Sequence, residues 1–236
     1  MLKFVSRAIL APLVRVLFRA RVEGKKNVPM DGPVILASNH LSFIDSVVIT
    51  LLAPRTVSFL AKDSYFTGKG LKGAASRAFF RSIGAIPVTR GVGQAAQAAL
   101  DSGLQLLDQA KAFAIYPEGT RSLDGRLYRG RTGVAWLALK SGAPVVPVGL
   151  RGTDKVQPPG SNSIRFAKIT IRFGQPLDLH HHGKADSGRA RRHATDEVMD
   201  KIAELSGQEV APHYNEPPPK GLVETVRRRF FGRFKL

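Results

Sequence analysis

Along this chain, short runs of consecutive apolar residues bounded by glycine and proline alternate with longer stretches in which apolar positions recur every three or four residues. The first pattern belongs to strands and the second to helices. Strands are predicted over Val34–Ser38, Val57–Ala61, Ile83–Val88, Phe113–Tyr116, Val145–Gly149 and Ile164–Phe173. Helices are predicted after Ser42, around Gln94–Ala110, around Gly133–Ser141 and from about Arg189 to Leu205. Strands that are apolar at nearly every position are buried on both faces, so the expected fold is α/β: a central, mostly apolar sheet flanked by helices. At 236 residues the chain can bury one substantial core, and a single domain is expected.

The two ends have their own patterns. Leu2, Val5, Ile9, Leu13, Val16 and Ala20 step by three and four, while Lys3, Arg7, Arg15 and Arg19 project elsewhere, which predicts an amphipathic basic helix within residues 1–26. Its longest uncharged stretch, Ala8 to Val14, is far short of the roughly 20 residues that span a bilayer, and Arg15, Arg19 and Arg21 follow where a cleaved leader needs small residues. The segment is read as retained, with Pro12 a candidate kink. Two placements fit such a helix: packed on its own domain with a solvated basic back, or lying in a membrane interface. After the main domain, residues 27–210, comes a proline-rich break and a tail, residues 211–236. There Arg227, Arg228, Arg229, Arg233 and Lys235 are interleaved with Phe230, Phe231 and Phe234. That composition suits an anionic bilayer, would also stack on nucleic-acid bases, and is equally that of a solvated tail.

Composition narrows the chemistry. Hydrophobic residues at 43% and charged residues at 23% describe a folded chain, not a disordered one. Thirty-six Lys and Arg against 18 Asp and Glu leave a formal charge of +18, which attracts anionic lipid, nucleic acid or phosphorylated substrates. The absence of cysteine excludes a thiol nucleophile, a Cys-ligated zinc and disulfides.

Four segments carry candidate chemistry. Ser38-Asn39-His40-Leu41-Ser42-Phe43-Ile44-Asp45 follows a strand and opens a helix, the corner where α/β sheets form sites. A histidine that takes a proton needs a carboxylate to fix its tautomer, and Asp45 can reach back to His40. The same stretch also reads as a capping box with Asp45 at the helix start. The spacing recurs between His181 and Asp186, in a polar loop with no strand before it. Gly84-Ala85-Ile86-Pro87-Val88-Thr89-Arg90 ends a strand in a guanidinium suited to a phosphate or simply to solvent. Tyr116-Pro117-Glu118-Gly119-Thr120-Arg121-Ser122 is a tight turn presenting a carboxylate, a hydroxyl and a guanidinium together, suitable for a polyol phosphate. Val145-Val146-Pro147-Val148 reads as core strand. His180 to His182 reads as a solvated loop, and Trp136 as core.

In this order and spacing the four segments resemble the glycerolipid acyltransferase family, specifically 1-acyl-sn-glycerol-3-phosphate acyltransferases of the PlsC type, over roughly Val28 to Val210. His40 and Asp45 match the family's catalytic His-x4-Asp motif. Gly84, Ile86 and Arg90 match its acceptor motif, and Pro117 to Ser122 and Val146-Pro147-Val148 the third and fourth. The resemblance implies the glycerolipid acyltransferase fold and a general-base role for His40 with Asp45 orienting its ring. It further implies that Arg90 and Arg121 hold the acceptor's phosphate, that Glu118 and Thr120 bind near its glycerol oxygens, and that Gly119 belongs to the same substrate-binding turn. The implied reaction moves a fatty acyl group from acyl-CoA or acyl-carrier protein to lysophosphatidic acid, giving phosphatidic acid, with no bound cofactor and no metal. The implied setting is the cytoplasmic face of the cell membrane, where the protein is peripheral, with an anionic membrane surface as partner and no nucleic acid expected. Other acceptors, such as glycerol 3-phosphate or another lysophospholipid or glycolipid, stay open. So does a non-catalytic basic module in which His40 and Asp45 are dispensable.

Overall fold

The computed structural model of the protein describes residues 2–88, 94–159, 161 and 163–216. The chain opens with helix α1 (Leu2–Leu17) and strands β1 (Arg21–Glu23) and β2 (Val34–Ser38), followed by α2 (Asp45–Leu52), β3 (Val57–Lys62), α3 (Gly70–Ser82) and β4 (Ala85–Val88). Then come α4 (Gln94–Asp108), β5 (Ala112–Ile115), β6 (Leu127–Tyr128), α5 (Gly133–Ser141), β7 (Val145–Arg151) and α6 (Thr153–Val156). Strand β8 (Thr170–Phe173), a 3-10 turn at His180–His182, α7 (Gly188–Ser206) and β9 (Val210–Ala211) complete it.

Seven strands form one sheet in the order β1-β8-β7-β2-β5-β3-β4, parallel throughout except where β7 meets β8. Alternation along the strands builds a core on each side. Val34 and Leu36 of β2 join a cluster with Ile49 and Leu52 of α2, Phe80 of α3 and Val148 of β7. Ile35 and Ala37 turn the other way, onto Leu107 of α4, Leu137 of α5 and Val198 and Ile202 of α7. The result is three layers, with α1, α2 and α3 on one face and α4, α5 and α7 on the other. Pro147 is tolerated in β7 because its carbonyl accepts from Gly174, just beyond the end of β8. Its missing N–H therefore falls past the β8 ladder.

The N-terminal helix departs from its expected packing. It stops at Leu17, and Arg21–Glu23 pairs with β8 as the edge of the main sheet, so the domain begins before residue 27. It also packs through Leu10, Val14 and Phe18, while Ile9, Leu13 and Val16 of the predicted stripe are 64%, 48% and 75% exposed. The two stripes are about 100° apart on the helix, so one holds the domain and the other is left facing outward. No helix among the described residues is long and apolar enough to cross a membrane.

Three further differences have local causes. Strand β8 is shorter than expected, because β7 ends at Arg151 and α6 follows, leaving residues 164–168 without a ladder and Phe166 80% exposed. Helix α3 lies outside the helices that the sequence pattern predicts; its Gly73 packs on Gly68 so closely that a Cβ would lie 2.1 Å from the Gly68 carbonyl oxygen. The domain also runs past residue 210, since β9 pairs with β6 and Asn215 is buried. The tail from Pro217 to Leu236 lies outside the described residues.

Candidate active site

Strand β2 ends at the centre of the sheet, and its next residues are locked to their neighbours. The fully buried Asn39 acts as a piece of backbone: its Oδ1 accepts the Leu150 N–H at 2.8 Å, and its Nδ2 donates to the Leu150 carbonyl at 2.9 Å and to Gln208 Oε1 at 2.7 Å. This ties the β2 corner to β7 and fixes where His40 emerges.

His40 is then held on every side. Its Nδ1 lies 2.8 Å from Asp45 Oδ2, the same oxygen that accepts the N–H groups of Leu41 at 2.7 Å and Ser42 at 2.8 Å. A carboxylate oxygen only accepts, so Nδ1 carries a proton, and Nε2 is the nitrogen that bears the lone pair in the neutral ring. Asp45 is fully buried as the first residue of α2. The two readings of it merge, because reaching back to the corner's N–H groups is also what brings it onto His40. The Ser42 hydroxyl does not complete a capping box; it donates to the Gln157 carbonyl at 3.0 Å.

The turn after β5 supplies the remaining supports. The Tyr116 ring stacks on the imidazole at 3.8 Å between centroids and 10° between planes, and its hydroxyl hydrogen-bonds Ser46 of α2 at 2.7 Å. Burial, with a smaller push from Asp45, raises the Tyr116 phenol well above its ordinary range. Ser122 N–H donates to the His40 carbonyl at 2.7 Å. Glu118 Oε1 accepts the His40 N–H and Oε2 the Tyr128 N–H, both at 3.0 Å. Burial pushes the Glu118 carboxyl up to about 7, against those two N–H groups, which pull it down; Asp45 and Asp124 add to the rise.

His40 opens on a cleft walled by Phe43, Val47, Phe59, Tyr65, Phe80 and Tyr116, with Arg121 at the same opening. Phe43, Tyr65 and Phe80 form an aromatic cluster, Tyr65 and Phe80 stacked at 4.6 Å. A cleft lined mostly by apolar side chains, with an imidazole, hydroxyls and a guanidinium also in its wall, suits a molecule with a hydrocarbon body and an anionic head.

This site sits within the stretch matched by a family model. The model, described as Acyltransferase, covers residues 19–151, more than half of the chain. The chain belongs to the acyltransferase family. It is 30% identical over 204 residues to the chloroplastic 1-acyl-sn-glycerol-3-phosphate acyltransferase of Arabidopsis thaliana, a match covering 85% of this chain and 53% of the relative. A Brassica napus chloroplastic relative gives the same identity over 55% of its length, so the chain spans about half the length of these plant relatives. A Bacillus subtilis protein of the same enzyme name is 25% identical over 88% of this chain and 98% of its own length. In fold the chain is similar to the 1-acyl-sn-glycerophosphate acyltransferase PlsC of Thermotoga maritima, with a TM-score of 0.62 and 24% identity over 86% of this chain and 82% of that one.

In this member of the acyltransferase family the expected site residues are spread over several kinds of place. His40 and Arg121 line the cleft, and Asp45 is buried behind the imidazole. Glu118, expected at the acceptor's glycerol, has each oxygen on a backbone N–H behind His40, so it braces the corner instead. Gly119 has φ 76°, and a Cβ there would lie 3.0 Å from Arg131 Nε; Thr120 is half-buried in the same turn. Gly84 and Ile86, expected at the acceptor, have packing places. Gly84, at φ 84°, lets β4 approach so closely that a Cβ would lie 2.6 Å from the Val57 carbonyl oxygen, and Ile86 packs on the α4-side core. Arg90 lies outside the described residues. The sequence offers for Asn39 and Tyr116 only a polar residue and an aromatic beside the first and third motifs. The second His-x4-Asp spacing is a coincidence: His181 meets Glu197 and the Asp178 carbonyl.

Proposed function

We propose that the protein transfers a fatty acyl group from a thioester, acyl-CoA or acyl-carrier protein, to the free hydroxyl of lysophosphatidic acid, giving phosphatidic acid. The observation that carries this reading is the His40 tautomer: with Nδ1 committed to Asp45, Nε2 is a proton acceptor at an apolar cleft with Arg121 beside it. The names of the plant and bacterial relatives support the same acceptor.

As the acceptor hydroxyl attacks the thioester carbonyl, His40 Nε2 takes its proton and a tetrahedral oxyanion forms. The buried Asp45 carboxylate stabilises the imidazolium. Collapse breaks the carbon–sulfur bond, and the imidazolium returns the proton to the departing thiolate, leaving ester and free thiol. No covalent acyl-enzyme is required, because two positioned reactants suffice when one is an activated thioester. Arg121, with Arg90, binds the acceptor's phosphate through charge-assisted hydrogen bonds.

The reaction runs with the protein lying on the cytoplasmic face of an anionic membrane. The outward stripe Ile9, Leu13 and Val16 of α1, beside the exposed Arg15 and Arg19, supports this, as does the Arg/Phe composition of the tail. The test pairs acyl-CoA and acyl-carrier protein donors with lysophosphatidic acid, glycerol 3-phosphate and other lysophospholipids, using purified protein. Thiol release dependent on lysophosphatidic acid is the expected result. Release driven only by another acceptor would move the activity to that acceptor, and no release with any pair would refute acyl transfer.

A further inference from the structure

The 3-10 turn His180–His182 and helix α7 bring three ligand-type atoms together at a place that does not line the His40 cleft. His182 Nε2 is 2.6 Å from Glu197 Oε2, His181 Nε2 is 3.2 Å from the same oxygen, and the ligand atoms of all three residues lie within 4.8 Å of one another. The turn faces solvent as three consecutive histidines predict, and two of its rings reach the same carboxylate.

His181 Nδ1 is 2.9 Å from the Asp178 carbonyl oxygen, which can only accept, so Nδ1 bears a proton and Nε2 is the ring nitrogen turned to Glu197. An Nδ1–H bond to a backbone carbonyl is how metal-binding histidines are usually oriented, and one divalent ion serves all three groups.

The surroundings favour a cation. Asp196, Glu197, Asp200 and Glu204 of α7 line a shallow concavity with His193 and Lys201, an acidic face on a chain of net charge +18. Two imidazole nitrogens and one carboxylate form the donor set of zinc and its neighbours, whereas calcium and magnesium take oxygen ligands. His182 and Glu197 side chains are 17% and 31% exposed and His181 59%, which leaves an open side for a water as fourth ligand.

We propose that His181, His182 and Glu197 form a binding site for a divalent transition-metal ion, zinc the best suited, which staples the turn after β8 to α7. Untagged full-length protein is stripped with chelator, dialysed against micromolar Zn2+ with excess Mg2+, and its metal content measured. One zinc per chain is expected, with affinity reduced roughly tenfold or more in His182→Gln and Glu197→Gln. His180→Gln should bind as wild type, since His180 Nδ1 bonds Asp178 instead. Zinc should also raise the Tm of wild type and of His180→Gln but not of Glu197→Gln, a readout valid for any variant that folds. Substoichiometric zinc in the wild type, or full binding by Glu197→Gln or by the His181→Gln/His182→Gln double variant, would overturn the site.

Discussion

Glu118→Gln tests whether the buried carboxylate braces the His40 corner, because its effect on stability must depend on pH. Glutamine keeps one acceptor for one of the two N–H groups and turns an amide NH2 toward the other. Leaving that buried N–H unpaired costs about 1–3 kcal/mol. Against this stands the cost of the native charge. Glu118 rises from an ordinary 4.5 to about 7, so between those values the folded protein holds a proton that the unfolded chain has released. Stability therefore falls as pH rises through this window, and across a shift of that size the fall is about 3 kcal/mol. Glutamine carries no such term. At pH 5 the variant should show nearly the full hydrogen-bond cost, and at pH 8 its deficit should be smaller by about 2.5 kcal/mol, close to zero or reversed. Urea unfolding of both proteins at the two pH values measures this. A deficit that is unchanged, or larger at pH 8, would show that Glu118 is not the buried, proton-holding brace described.

Three other outcomes are expected. Arg121→Ala should raise the KM for the lysophosphatidic acid acceptor on the order of 10- to 100-fold, the loss of one charge-assisted contact, with little change for the thioester; an unchanged acceptor KM would put the phosphate elsewhere. Asn39→Ala should destabilise the fold by about 2–4 kcal/mol in urea, since both Leu150 backbone groups lose their partner. Replacing Ile9, Leu13 and Val16 together by serine, or truncating after Pro219, should reduce sedimentation with phosphatidylglycerol vesicles, the tail's share falling with salt. Equal vesicle binding by all forms would assign these features to another partner.

The parts of the fold legible in the sequence are those where one periodicity acts alone. Val34–Ser38 is apolar at nearly every position because α2 and α5 cover its two faces, and Gly133–Ser141 ends at a glycine with φ 73°. Helix α3 was hidden because Gly70 and Gly73 weaken its pattern, and Gly73 is there for a backbone contact with Gly68 that only the tertiary structure creates. Residues 164–168, with Ile164 and Phe166 alternating, read as strand because alternation cannot tell whether a partner exists. At the site, His40 and Asp45 were legible from spacing at a strand-to-helix corner. The residue type of Glu118 does not reveal that backbone amides occupy both its oxygens. Tyr116 and Asn39 act through stacking and backbone mimicry, which leave no spacing signature.

The most direct test of the central claim is acyl transfer by His40→Ala under saturating acyl donor and lysophosphatidic acid, beside wild type and His180→Ala. A general base contributes roughly 10²–10⁴-fold. The account predicts a loss of kcat in that range for His40→Ala in a protein that still folds, less stable by about 1–3 kcal/mol because the buried Asp45 loses its hydrogen bond, and wild-type turnover for His180→Ala. Turnover by His40→Ala within a few-fold of wild type would contradict it.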